Sequence, residues 1–300
     1  MSTNSSSRFS TLLLREWMQH KRGWLITLFL PLGLFFVLLP FGQVSGMPID
    51  RFPLQMAVGI MLATAAGVFG IAWISAMFQM PGLARRDVQD RSIEFWLSLP
   101  ASHTESIGAT LLAHAVLVPL AALLVGAIAG PLMASGLFIK QAGFAAWTTV
   151  SWGTALVAVV PIVLRAILGV LLMTLWLAPL ILLVVAASAW LKRWGVPAVA
   201  LVLGFGGLAL DKLYNWPIVE QLLERQFEGA SLAMLADHQA LGRHLGQLAE
   251  DPSLPLNASG LAAQDAWLAI QNLASPHFIG GLIIAALCFG LLVLKRSRSH

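Results

Sequence analysis

The sequence predicts an all-α polytopic membrane protein with six transmembrane helices, an N-terminal amphipathic interfacial helix, and a small helical external domain between helices 5 and 6. The 300 residues are 58% hydrophobic and 11% charged, with mean hydropathy +0.81, whereas a soluble domain carries roughly 25% charge. Apolar runs of about the 20 residues needed to cross hydrocarbon recur along the chain. Lysine and arginine fall between these runs in a pattern that sorts most of them to one side.

Trp24 to Phe41, Met56 to Met80 and Ile107 to Met133 are the first three spans, and Ala166 to Trp190 is of similar length. Val196 to Leu210 and Phe278 to Leu294 are shorter and Gly-rich, which suits a thinned bilayer or steep packing. One helix from Ala145 to Leu191 would run about 70 Å, more than twice the hydrocarbon thickness, so a break is expected there. Counting Phe144 to Leu164 as a seventh span would turn Lys192, Arg193, Lys295, Arg296 and Arg298 outward. Six spans keep all five inside, as the Lys/Arg bias requires. Residues 144–164, interrupted by Thr148, Thr149, Ser151 and Thr154, then form an outer interfacial or re-entrant segment. Both termini are cytoplasmic on this reading, with twelve of the eighteen Lys/Arg inside and six outside.

The organisation is therefore residues 1–23 as the amphipathic helix, 24–210 as five spans with an inner loop at 81–106, 211–276 as the external domain, and 277–300 as the sixth span with a basic tail. The external region holds eight acids and three bases, so its net charge is −5 and the remainder is +9. Topology and anionic lipid headgroups account for the basic part, which leaves no case for nucleic acid. In the external region Asn215-Trp216-Pro217 opens a helix with Ile218, Val219, Leu222, Leu223 and Phe227 on its apolar face. Leu241, Leu245 and Leu248 mark a second helix, Asp251 to Gly260 a linker, and Asp265 to Ile270 an amphipathic turn carrying Trp267. The single cysteine, Cys288, excludes an intrachain disulfide. The first apolar run, following so long an amphipathic segment, reads as an uncleaved anchor.

Phe9, Leu13 and Trp17 recur four residues apart with Met18 beside them, opposite Arg8, Arg15, Gln19 and Arg22. That is an interfacial helix pattern, turning at Gly23 into the first span. In the inner loop, Leu83 to Leu97 is expected to form a helix bearing Arg85, Arg86, Asp87, Asp90, Arg91 and Glu94, with Ile93, Trp96 and Leu97 as an apolar stripe. Pro100 stops it, and Ser102-His103-Thr104-Glu105 has the capping-box spacing that starts the next helix. Positive-inside accounts for Arg85 and Arg86. The acids and the Trp96 to Pro100 turn suit docking to a soluble partner, because paired charges fix register and an apolar edge supplies affinity.

The chain resembles the permease subunits of ABC-2 type ATP-driven exporters. The resemblance rests on the Arg8 to Arg22 amphipathic helix, the loop helix through Ser92-Ile93-Glu94-Phe95-Trp96-Leu97-Ser98-Leu99-Pro100, Trp176-Leu177-Ala178-Pro179, Ser188 to Arg193, and the ending from Ser275-Pro276-His277 to Lys295-Arg296. It covers nearly the whole chain except Asp211 to Ala274. It implies that residues 81–106 carry a cytoplasmic coupling helix against a separate ABC ATPase, with Arg85, Arg86, Asp87, Asp90, Arg91, Glu94, Trp96, Leu97 and Pro100 as the coupling surface. It further implies two ATPase copies, a second identical or homologous permease, outward transport, and a bacterial inner membrane location.

None of the five lysines completes a Gly-x-x-x-x-Gly-Lys-Ser/Thr phosphate cradle, so ATP and Mg are expected on the partner and this chain is not expected to be an enzyme or to hold a cofactor. Intramembrane enzyme chemistry would need paired acids, a nucleophile with its base, or His-Glu-x-x-His, and none is visible. His103, His238, His244 and His277 lack metal-ligand spacing, so no metal is assigned, and His114 inside a span is expected to hydrogen-bond a neighbouring helix. Gly59, Ala63, Gly67 and Gly70 are expected to serve close packing within the chain, with a dimer seam as the other use. Spans without charge clusters favour apolar or amphipathic cargo such as lipids, lipid-linked molecules or hydrophobic peptides. A non-transporting scaffold or regulatory subunit, acting on an external partner through residues 211–276, is the alternative function.

Overall fold

Backbone surrounded by lipid must satisfy its hydrogen bonds within its own segment, which favours helices throughout an apolar chain of this kind. The computed structural model describes residues 5–89, 102–250 and 257–298, excluding the side chains of 5–7, 84–89 and 248–250. Among these residues every element is a helix. They are α1 (Ser5–Leu38), α2 (Pro53–Gln89), α3 (His103–Leu112), a π-helical turn (Ala113–Leu117), α4 (Val118–Thr149), α5 (Trp152–Leu191), a 3₁₀ turn (Lys192–Trp194), α6 (Gly195–Tyr214), α7 (Ile218–Met234), α8 (His238–Glu250), α9 (Ala258–Gln271), a 3₁₀ turn (Asn272–Ala274) and α10 (Pro276–Ser297).

Five stretches among the described residues are long and apolar enough to cross a membrane: Arg8–Leu38, Pro53–Leu83, His103–Thr149, Trp152–Tyr214 and Pro276–Ser297. Phe29, Val37, Phe78, Ile128 and Leu287 stand exposed on them, where hydrocarbon rather than water is the compatible solvent. The protein is an all-α, multi-pass membrane protein.

Several boundaries differ from those read in the sequence. α1 runs unbroken through Gly23, so the amphipathic segment and the first apolar run form one rod of about 51 Å rather than two helices meeting at a turn. The expected break before Leu191 falls at Val150 and Ser151, where the backbone is extended at Val150 (φ −75, ψ 127), with a further kink at Gly143 (φ 81). Residues 144–164 are therefore divided: 144–149 end α4, and 152–164 open α5. α5 then continues for 40 residues, about 60 Å, and Pro161 and Pro179 are accommodated within it. α9 also begins within the stretch read as linker, because Asn257 caps it by accepting the Gly260 N–H at 3.0 Å.

α6 folds back beside the end of α5. Lys192 takes a left-handed φ of 54, and Gly195 lies against the Ser188 backbone, where a Cβ would have no room. α7 docks on α5 through Gln226, whose side-chain amide donates to the Trp176 carbonyl, and Gly229 sits beneath the Trp176 ring. Leu172, Met173 and Trp176 then pack with Ala230 and Ala233 of α7, Ala269 of α9 and Phe278 of α10.

α2 makes its most extensive contact with α4. Ala122, Gly126, Gly130 and Ala134 recur every four residues on the buried face of α4, opposite Met61 and Ala65 of α2. A Cβ on Gly126 would lie 2.7 Å from Ala65 Cα, and one on Gly130 would lie 3.0 Å from Met61 Cα. This is small-xxx-small packing, in which the missing side chains let two backbones approach. The glycines singled out in the sequence do something else: Gly59, Gly67 and Gly70 have nothing within 4 Å of an added Cβ, which corrects the expectation that they serve packing within the chain.

Replacing Gly126 by Leu is expected to cost about 1–3 kcal/mol or more through overpacking, read as a lowered unfolding temperature in detergent. Gly290→Ala, where an added Cβ meets nothing within 4 Å, is expected not to lower that temperature, and equal losses in the two variants would contradict this assignment of the contact.

Candidate functional site

The buried face of α1 is set by a four-residue repeat: Leu12, Glu16, Trp24, Leu28 and Leu32 are buried, with His20 half-buried in the same row. Trp17 and Met18 are exposed, and Phe9 and Leu13 are half-buried. The predicted apolar stripe therefore turns largely outward, and the inward stripe carries a carboxylate and an imidazole. A charge within an apolar helix is tolerated when it faces protein partners rather than lipid.

Glu16 is the centre of that arrangement, its side chain only 3% exposed. Its Oε1 accepts from Arg15 Nη2 at 2.6 Å and from Thr110 Oγ1 of α3 at 3.0 Å. Its Oε2 has no hydrogen-bond partner and lies 3.7 Å from His20 Nδ1. Ser106 of α3 extends the cluster: Arg15 Nη2 approaches its hydroxyl at 3.5 Å and Arg296 Nη1, at the end of α10, donates to it at 3.2 Å. One polar knot thus ties together α1, α3 and α10. Taking a carboxylate out of water costs several kcal/mol, recovered only through well-placed partners.

α3 is positioned at its start by the expected capping box. Glu105 N–H donates to Ser102 Oγ at 3.1 Å, and Ser102 N–H donates back to Glu105 Oε2 at 2.9 Å. Two turns on, the helix widens into the π turn that carries His114. Such turns free a carbonyl and re-aim side chains, and they concentrate at functional sites. Thr174 of α5 donates to the Ala115 carbonyl at 3.2 Å, and His114 Nδ1 lies 3.0 Å from the Thr110 carbonyl. This His114 contact lies within its own helix. Across helices, the contact is ring packing, edge-on to His20 at 4.7 Å and to Trp24 at 5.2 Å. Glu16, His20 and His114 each bring one metal-ligating atom within 4.8 Å of the others.

Of the sequence-derived coupling surface, Arg85, Arg86 and Asp87 belong to the last turns of α2, but their side chains lie outside the described residues. Asp90, Arg91, Glu94, Trp96, Leu97 and Pro100 lie wholly outside them. Sequence reasoning missed Glu16 and His20. The signal was their i, i+4 spacing in register with Leu12, Trp24 and Leu28, overlooked because the Phe9–Leu13–Trp17 repeat is the more apolar one.

No family model, curated protein or solved structure matches this chain.

A second buried polar cluster anchors α9 and the start of α8 to α5. Arg165 Nε and Asp265 Oδ2 form a 2.7 Å ion pair with both side chains more than nine-tenths buried; the contact is one of charge, without the alignment of a hydrogen bond. Asp265 Oδ1 accepts the Asp237 N–H at 2.6 Å, and Asp237 Oδ1 accepts the Ala240 N–H at 2.8 Å, starting α8. Arg165, Asp237, Asp265 and His244 line one cavity of about 40 Å³, large enough for a water or two.

Burial holds the His244 imidazole below its ordinary range, because desolvation disfavours the charged form. The unfolded chain therefore takes up this proton first, and stability falls as pH drops below about 6.5. His244→Leu is expected to flatten that part of the unfolding-temperature profile. An unchanged acid slope in the variant would remove His244 as its cause.

Proposed function

We propose that this chain is the permease subunit of an ATP-driven ABC exporter, driven through residues 81–106 by a separate ATPase. The observation that carries the reading is the knot around Glu16. It joins the N-terminal helix to α3, the helix that starts immediately after the proposed coupling loop, and to the end of α10. A displacement of that loop has a polar, directional connection to the first and last spans, where a purely apolar contact would slip.

Six crossings follow if α6 is counted separately from α5, with both termini and the loop cytoplasmic and residues 211–276 outside a bacterial inner membrane. The fold-back at Lys192 and Gly195 supports that count. In the proposed mechanism two ATPase copies bind ATP and Mg, close on each other, and shift two permeases between inward-open and outward-open packings. The open, small-residue face of α2 at Gly59, Ala63, Gly67 and Gly70 supports a seam with a second permease, identical or homologous. The apolar spans favour lipid, lipid-linked or hydrophobic peptide cargo, exported outward.

Native purification from the source membrane is expected to bring down a Walker-motif ATPase with the chain. Glu94→Lys is expected to insert normally and lower cargo-dependent stimulation of that ATPase about tenfold, equivalent to about 1.4 kcal/mol, because a reversed charge meets like charge at the docking edge. Recovery of the intact assembly with no nucleotidase would end this reading. So would undiminished coupling in the Glu94 variant.

A further inference from the structure

Two imidazoles and a carboxylate converge where α1 meets the π turn, and we propose that Glu16, His20 and His114 form a site for a divalent transition-metal ion of the Zn²⁺ type. The clearest sign is Glu16 Oε2. It is a buried carboxylate oxygen without a hydrogen-bond partner, while its twin Oε1 is already held by Arg15 and Thr110. The carboxylate is thereby fixed in orientation with one oxygen left for a ligand on the side of the two imidazoles.

Both rings have a backbone carbonyl beside Nδ1, an arrangement common among metal-binding imidazoles. His114 Nδ1 lies 3.0 Å from the Thr110 carbonyl and His20 Nδ1 lies 3.1 Å from the Glu16 carbonyl. Donation from Nδ1 to these acceptors selects the tautomer whose Nε2 carries the lone pair and raises its basicity. The ligand atoms span at most 4.8 Å. Bonds of about 2.0–2.2 Å to one ion bring them together with roughly 1 Å of side-chain adjustment.

The donor set defines the class of ion. Imidazole nitrogen with carboxylate oxygen suits zinc and its neighbours, whereas calcium and magnesium prefer all-oxygen shells. Three protein ligands leave a fourth tetrahedral position for water. Arg15 sits on the far oxygen of Glu16 and opposes a cation, which weakens the site without occupying its lone pair. Glu16 and His20 stand on α1 and His114 stands on the π turn, so a bound ion staples the N-terminal helix to the α3–α4 rod. The site shares Glu16 with the polar knot but does not depend on the exporter reading, and its test uses no transport or ATPase readout.

The full chain, solubilised in detergent, freed of any histidine tag and stripped with chelator, is titrated with Zn²⁺ against a chromophoric competitor. The expected result is one ion per chain, with affinity falling at least about tenfold in each of Glu16→Gln, His20→Ala and His114→Ala, and holding in His238→Ala, which lies outside the cluster. Zinc X-ray absorption on the unsubstituted protein is expected to count two imidazoles, and this decides the question even if a variant fails to fold. Absence of a one-to-one site, affinity surviving all three substitutions, equal loss in His238→Ala, or a shell without imidazole would each overturn the proposal.

Discussion

The Glu16 carboxylate, buried where α1 meets α3, is costly to place there, and much of the local architecture is its consequence. A charge among helices in a bilayer needs partners from more than one segment. Here Arg15 supplies the opposite charge and Thr110 a hydroxyl, while Ser106 links both arginines, Arg15 and Arg296, to α3. Apolar packing between spans has little preference for one register over the next, since lipid tails are as apolar as leucine. The polar contacts select a single register of α1 against α3.

The rest of the bundle is held by a different device. Along α4 the missing side chains of Gly126 and Gly130 bring its backbone onto α2, so dispersion does there what hydrogen bonding does around Glu16. The two contacts lie on one continuous rod, from α3 through the π turn into α4. The rod is pinned by polar groups at one end and by close packing farther along, and the π turn with His114 lies between them. A helix fixed on both sides of a widened turn is well placed to hold a ligand or to transmit a twist. At the other end of the molecule, the Arg165–Asp265 pair performs a similar anchoring task for α9 against α5.

Much of this was legible in the sequence. The all-α membrane class followed from composition and run length, because no other backbone arrangement suits so apolar a chain rich in helix-length runs. The capping box at Ser102 and Glu105 and the helices at 218–234 and 238–250 were also readable, since each depends on residues within a turn or two of one another. Less legible was which side of α1 faces inward. Phe9, Leu13 and Trp17 make the more apolar stripe, yet in lipid the apolar face points outward and the polar one is buried, the reverse of the rule for a water-soluble helix.

Local chemistry thus determined which residues form helices, where several of them begin, and that hydrocarbon is their solvent. Only the tertiary structure decided that α1 passes Gly23 without turning, that Gly126 and Gly130 rather than Gly59 and Gly67 carry the close crossing, and that Glu16 and His20 meet His114 from far away in the chain. The physical reason is common to all three. Each depends on what stands opposite a residue across a helix interface, and the spacing of residues within one helix reports its faces without saying which neighbour covers them.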